Sequence, residues 1–260
     1  MHIGICTSIA AAKTLPASLP IDFIEENVQS LLQPQAADAV FEAALPTSPP
    51  AFSVTAANCF LPASLKATGA FVDEAALDRY AGVAFSRAAQ VGIRTIVFGS
   101  GGARALADGF PKATAMAQFI ELLRRLGPLA EPHGVTVVVE PLNSGECNFI
   151  NSLAEGAKLV EAAGHPNIRL LADVFHMLRD KESSEEIVRF GHLLHHVHVA
   201  ENQDRACPGT NGEDFRPWFQ ALRKVGYEGP ISIECNWVDL PAQAGGAIAE
   251  LRRQLADCGY

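Results

Sequence analysis

The run VTVVVEPLN (residues 135–143) is a stretch of β-branched residues that breaks off at a carboxylate, Glu140. Branching at Cβ suits a pleated strand and resists a helix, and five such residues are too few for a buried helix. Three later segments end in the same way: IRLLADVFH (168–176), HHVHVAEN (195–202) and ISIECN (231–236). Residues two apart on a strand point the same way. Val135, Val137 and Val139 therefore share one face, and Thr136, Val138 and Glu140 the other. Likewise Ile168, Leu170 and Ala172 oppose Arg169, Leu171 and Asp173, while Ile231 and Ile233 leave Ser232 beside Glu234. The uniformly apolar faces should pack on helices. The mixed faces should point into a closed sheet.

Working outward, β-rich runs near 2–6, 21–25, 52–57 and 93–98 precede those at 135–140, 168–173, 196–200 and 231–235. Helical patterns lie between them at 74–91, 112–131, 153–163, 184–191, 214–225 and 243–256. Ser152, with Glu155 three residues on, and Asp73 are helix starts; Gly92, Gly134, Gly164 and Gly226 fall where helices should stop. Strands alternating with helices imply parallel pairing through right-handed crossovers. Eight such units predict a (β/α)8 TIM barrel formed as a single domain over residues 1–260, with an open doubly wound sheet as the alternative. The stretch 26–51, interrupted by Pro34, Pro46, Pro49 and Pro50, fits this pattern least.

Composition agrees with a large buried core: 48% of residues are hydrophobic and 19% charged. The formal charge of −9 disfavours nonspecific binding to nucleic acid or an anionic membrane, both of which need surplus Lys and Arg. Six cysteines without a Cys-x-x-Cys pair suggest reduced thiols. The opening MHIGICTS has no basic region leading into a long apolar one, and no segment reaches the roughly 18 apolar residues of a membrane span. A cytoplasmic location is expected.

Taken singly, an acid at a strand end is a loop cap or an ion-pair partner, and a histidine on an apolar strand is a hydrogen-bonded core residue. Taken together, Glu140, Asp173, His198 and Glu234 place three carboxylates and an imidazole at the mouth of one barrel. Ionised there, the carboxylates would repel one another unless a cation compensates them. A divalent metal held by Glu140, Asp173, His198 and Glu234 meets that need. The donor set is hard to borderline, so one Mn2+ is preferred, with Mg2+, Co2+ or Fe2+ as alternatives, over a thiolate-rich structural zinc. Cys147 and Cys235 adjoin acids, but alternation turns Cys235 away from the cavity. His192 belongs to a helix end, His195 faces outward, and His196 points inward one layer below His198 as a hydrogen-bonded interior residue.

At EPLNSGE (140–146), DVFH (173–176) and HVAEN with Arg205, the chain resembles the xylose isomerase-like TIM barrels of the sugar phosphate isomerase/epimerase family. The likeness runs from MHIGICTS through NCFLP and VFGSGGAR to GYEGPISIE, and the metal set is similar to that of the D-tagatose and D-psicose 3-epimerases. The resemblance implies that Glu140, Asp173, His198 and Glu234 are the metal ligands. It also implies that Glu140 and Glu234 are the two catalytic carboxylates, exchanging a proton on opposite faces of the substrate. Glu146, His176 and Arg205 match substrate contacts, with Arg205 one residue further from His198 than in the epimerase pattern; capping or surface pairing is the plainer role for these three.

A proton beside a carbonyl is too weakly acidic for an unaided carboxylate, and a metal stabilises the charge left when it departs. Returning the proton to the neighbouring carbon isomerises an aldose and ketose; returning it to the other face of the same carbon epimerises. A ketose 3-epimerase acting on a sugar or sugar phosphate is the preferred expectation. A hydroxypyruvate isomerase-like aldose–ketose isomerase and an inosose dehydratase-like lyase remain open. So do a homodimer and a homotetramer. An endonuclease IV-like three-zinc nuclease would need histidines where Asn58 and Gly99 stand, and a non-catalytic sugar-binding barrel would not need candidate bases. The loops GSGG (99–102) and PGTNG (208–212) could offer backbone N–H groups to a phosphate, though ordinary turns are the favoured reading.

Overall fold

Each of the four strand runs closes against its neighbours in the computed structural model, which describes residues 1–48 and 50–260. The strands are β1 (Ile3–Cys6), β2 (Phe23–Asn27), β3 (Ser53–Asn58), β4 (Thr95–Phe98), β5 (Thr136–Val139), β6 (Ile168–Asp173), β7 (Leu194–Val199) and β8 (Ile231–Ile233). They form one closed barrel in sequence order, and every pair is parallel. Closure is made by β1 against β8, where Ile3 pairs with Ile231 and Ile5 with Ile233. The open sheet is thereby excluded.

Helices follow the strands: α1 (Ile9–Ala12), α2 (Asp38–Ala44), α3 (Glu74–Val91), α4 (Gly101–Arg104), α5 (Lys112–Ala130), α6 (Leu153–Ala163), α7 (Val174–Arg179), α8 (Glu185–Phe190), α9 (Arg216–Lys224) and α10 (Leu240–Asp257). The predicted starts are real. Asp73 and Ser152 accept from the backbone N–H groups of Ala76 and Glu155. The awkward stretch after β2 resolves into a π-helical turn, Val28–Leu32, entered through Asn27, and then α2; Pro49 lies outside the described residues. Among the described residues no helix is long and apolar enough to cross a membrane.

The outward faces of the strands are dry, as alternation requires. Val137, Val139, Ile168, Leu170, Ile231 and Ile233 are all buried against helices, and α5 answers with Phe119, Leu122, Leu123 and Leu126. Each such side chain contributes roughly 1.5–3 kcal/mol on burial. Inside the barrel, Val97, Val138 and Leu171 form a separate apolar cluster.

One inward–outward assignment is corrected. The β6–β7 register slips between Leu170 and Leu171, which pair with Leu194 and His196, so His195 is an extra residue on β7. Instead of facing outward, His195 brings Nε2 to 3.4 Å from Thr95 Oγ1 on β4. Those strands are three apart around the ring, so the contact runs through the barrel interior.

Candidate active site

Asp173 ends β6 and starts α7, and its two oxygens have separate tasks. Oδ1 accepts from the N–H groups of Phe175 (2.7 Å) and His176 (3.3 Å), capping α7. Oδ2 is buried and makes no hydrogen bond. Glu140 stands one residue beyond β5, with its N–H on Phe98 O of β4. Its carboxylate occupies the space in front of Gly99, where a Cβ would lie 2.1 Å from Glu140 Oε2. Gly99 is thus a slot for Glu140. His198 projects from β7 opposite Asp173, and Glu234 follows β8 with its N–H on Val199 O. Asn58 of β3 donates Nδ2–H to Glu234 Oε1 at 2.8 Å.

These placements converge. Glu140, Asp173, His198 and Glu234 each offer a ligand atom within 4.8 Å of the others'. His198 Nδ1 lies 3.2 Å from Glu140 Oε1 and 3.2 Å from Glu234 Oε2. Burial by itself would keep the His198 imidazole neutral, yet the surrounding carboxylates, Glu25 and Glu234 foremost, raise its pKa well above the usual range. Burial, then the charge of Glu234, raises the Glu140 carboxyl. In both shifts the neighbouring carboxylates favour added positive charge, and for Glu140 burial acts in the same direction. An orphaned buried carboxylate oxygen, two further acids and an imidazole nitrogen on one point are a donor set that fits a divalent cation.

A second tier surrounds the cluster. His176, buried on α7, has Nε2 3.5 Å from Asp173 Oδ2, and its Nδ1 meets Asn143 Nδ2 at 2.8 Å. Asn143 also donates to Glu146 Oε1 at 2.9 Å. Arg205 pairs with Glu234 through Nη2, which also lies 3.5 Å from Asp173 Oδ2, while Nη1 is 3.7 Å from Glu146 Oε1. Its guanidinium sits 4.6 Å above the Phe175 ring. Asp204 and Arg205 are both left-handed, with φ of 60° and 51°. That costly pair of conformations turns Arg205 into the site despite its offset in sequence. An open cavity of about 630 Å³ leads to this tier, lined by Asn143, Glu146, Phe175, Arg179, Arg205 and Asn236 among others.

The remaining candidates separate cleanly. His196 Nε2 lies 2.8 Å from Glu25 Oε2, the interior role expected of it. His192 is in the turn after α8, with its side chain 65% exposed. The PGTNG loop is a turn built on Glu201: the N–H groups of Gly209, Asn211, Gly212 and Glu213 all point to that fully buried carboxylate. They are committed there and not to a phosphate. Three residues of the site were given no role there by the sequence, Glu25, Asn58 and Asn143, Asn58 having been weighed only as the place of an absent nuclease histidine. Asn143 lies within EPLN, but a neutral side chain gives no charge signal. Glu25 follows Phe23 on the inward face of β2, and its acid character at a buried position was the signal available.

A model of the xylose isomerase-like TIM barrel matches residues 18–258. The chain is 30% identical over 119 residues to an L-ribulose 3-epimerase of Methylomonas sp., a stretch covering 45% of this chain and 41% of that protein. It is 32% identical over 127 residues to a D-psicose 3-epimerase of Agrobacterium fabrum, covering 47% and 43%. These matches span less than half the length of either relative. Among solved structures, a D-allulose 3-epimerase from Methylomonas sp. superimposes with a TM-score of 0.82 over 98% of both chains at 23% identity, a likeness of fold.

Proposed function

The chain belongs to the xylose isomerase-like TIM barrel family, and from that premise we propose that it is a divalent-metal-dependent ketose 3-epimerase, with Mn2+ the preferred ion. The observation that carries this reading is the pair Glu140 and Glu234, which flank one point at His198 Nδ1 from strands three apart in the ring. Two carboxylates reaching a common centre from different sides can take a proton from one face of a carbon and return one to the other. Family membership and the epimerase relatives support the same reaction class.

Glu140, Asp173, His198 and Glu234 would hold the metal, which supplies Lewis-acid stabilisation of charge on the substrate oxygens beside the reacting carbon. Glu140 and Glu234 act as the acid/base pair. Glu146, His176 and Arg205 bind substrate oxygens: His176 and Arg205 are donors, and Glu146, tethered by Asn143, is an acceptor. Asn58 holds one oxygen of Glu234 and so orients the carboxylate toward the cavity.

Incubation of the Mn2+-loaded protein in D2O with ketohexoses, ketopentoses, their phosphates and hydroxypyruvate tests the reading. Deuterium should appear at C3 of a ketose. Label at C1 of a ketose, or at the hydroxymethyl carbon of hydroxypyruvate, would instead indicate an aldose–ketose isomerase, and a conjugated product absorbing in the ultraviolet a dehydratase. Glu140→Gln should lower exchange by roughly 10²–10⁴-fold, the usual worth of a positioned acid/base; full exchange in that variant would remove Glu140 from the mechanism.

A further inference from the structure

The lower nitrogen of His198 faces away from the cluster and meets Glu25, a carboxylate reaching across the barrel interior from β2 with no place in the chemistry above. His198 Nε2 is 3.0 Å from Glu25 Oε1 and 3.1 Å from Oε2. Oε2 is itself held by His196 Nε2 at 2.8 Å and by Ser232 Oγ–H at 2.7 Å. Glu25, His196, His198 and Ser232 are at most 1% exposed.

Resting on the metal reading above, we infer that Glu25 is a positioning residue that accepts Nε2–H from His198 and so presents the Nδ1 lone pair to the cation. An imidazole can ligate through either nitrogen, and the hydrogen bond at one decides which is free at the other. Here Nδ1 is the nitrogen beside Glu140 and Glu234, so Nε2 must carry the proton. Glu25 fixes that tautomer and the ring plane together. His196 and Ser232 hold Glu25 in place from below, each spending a donor on the oxygen that serves His198 less closely. Cys6 lies within metal-ligand reach of the same Glu25–His198 pair, so a second ion is the competing use of this carboxylate.

Calorimetric titration of Mn2+ into metal-free protein distinguishes these cases. Wild type should bind one Mn2+ per chain, and Glu25→Gln should still bind one, roughly 10–100-fold more weakly. Ser232→Ala, which keeps the charge and removes one tether, should weaken binding by a smaller factor and covers the case in which Glu25→Gln does not fold. In Cd2+-loaded, 15N-histidine-labelled wild type, the His198 Nε2–H should give a slowly exchanging, strongly downfield proton resonance that moves upfield in Glu25→Gln. A purely structural role would not move it. Equal affinity and an unmoved resonance in Glu25→Gln would overturn the inference and leave the metal site standing. Two Mn2+ in wild type falling to one in Glu25→Gln would make Glu25 a ligand and overturn it as well. A wild type that takes up no Mn2+ would overturn the metal reading itself, and this inference with it.

Discussion

One layer below the four candidate ligands, the floor of the barrel divides into two unlike halves. Beneath Glu140 and Asp173 stand Val138 and Leu171, which with Val97 form a dry apolar cluster. Beneath His198 and Glu234 stand His196 and Ser232, bound to Glu25 in a buried polar network. The four ligands above are all polar, so the difference lies in what each ligand needs from below. A carboxylate has two equivalent oxygens and can be fixed from the side. Asp173 is held by the N–H groups of α7, and Glu140 by the slot at Gly99. An imidazole has two inequivalent nitrogens, and the one turned away from the site must find a partner in the interior. The polar floor occurs where the imidazole is.

The largest effect that could break this comparison concerns the apolar half. Leu171→Ala should cost roughly 2–5 kcal/mol of stability through the cavity it opens, yet leave Mn2+ affinity within about twofold of wild type. Denaturant unfolding and calorimetry read the two quantities separately. A parallel loss of affinity would mean that both halves of the floor support the ligands, and the distinction would fail.

Gly99→Ala sharpens the claim that Glu140 is fixed from the side. The added Cβ displaces the end of a flexible carboxylate and no backbone, so the melting temperature should hardly change. Deuterium exchange should fall by about a hundredfold, the usual consequence of moving a reacting group by an ångström. Normal exchange would show that Glu140 tolerates relocation.

The smallest effect tests whether partners, and not burial alone, set the charge of an acid shielded from solvent, fully at Glu25 and partly at Glu182. Among the described residues the Glu182 carboxylate accepts from a single donor, Leu153 N–H at 2.8 Å, against three for Glu25. Burial, with that one hydrogen bond opposing it, raises its carboxyl to about 7. Because the folded chain holds this proton more tightly than an ordinary carboxyl would, stability attached to it is present below about pH 4.5 and is lost as pH rises toward and through about 7. Glu182→Gln should therefore match wild type in melting temperature at acid pH and exceed it at alkaline pH. A pH-independent difference would mean that Glu182 holds its proton no more tightly in the folded chain than in the unfolded one.

Much of this protein was visible before any coordinate. Alternation in VTVVVEPLN and its three counterparts assigned Glu140, Asp173, His198 and Glu234 to one inward face, because the side-chain period of a strand is two residues wherever the chain runs regularly. The same rule failed at His195, where the β6–β7 bulge adds a residue and reverses the face. Arg205 was named through the family resemblance and not through a local rule, and its approach depends on two left-handed residues. For PGTNG local rules left a phosphate site open; its N–H groups are taken by a glutamate eight residues before Gly209.

What the sequence determined alone was therefore local and periodic: eight strands, the helices between them, and four polar side chains at strand ends. What only the tertiary structure decided was which distant groups meet. Glu25 and His198 are 173 residues apart, and nothing in either strand specifies the other until the barrel closes β1 against β8. Contacts of that kind arise from the geometry of closure, which brings side chains together across the interior and has no counterpart in a local pattern.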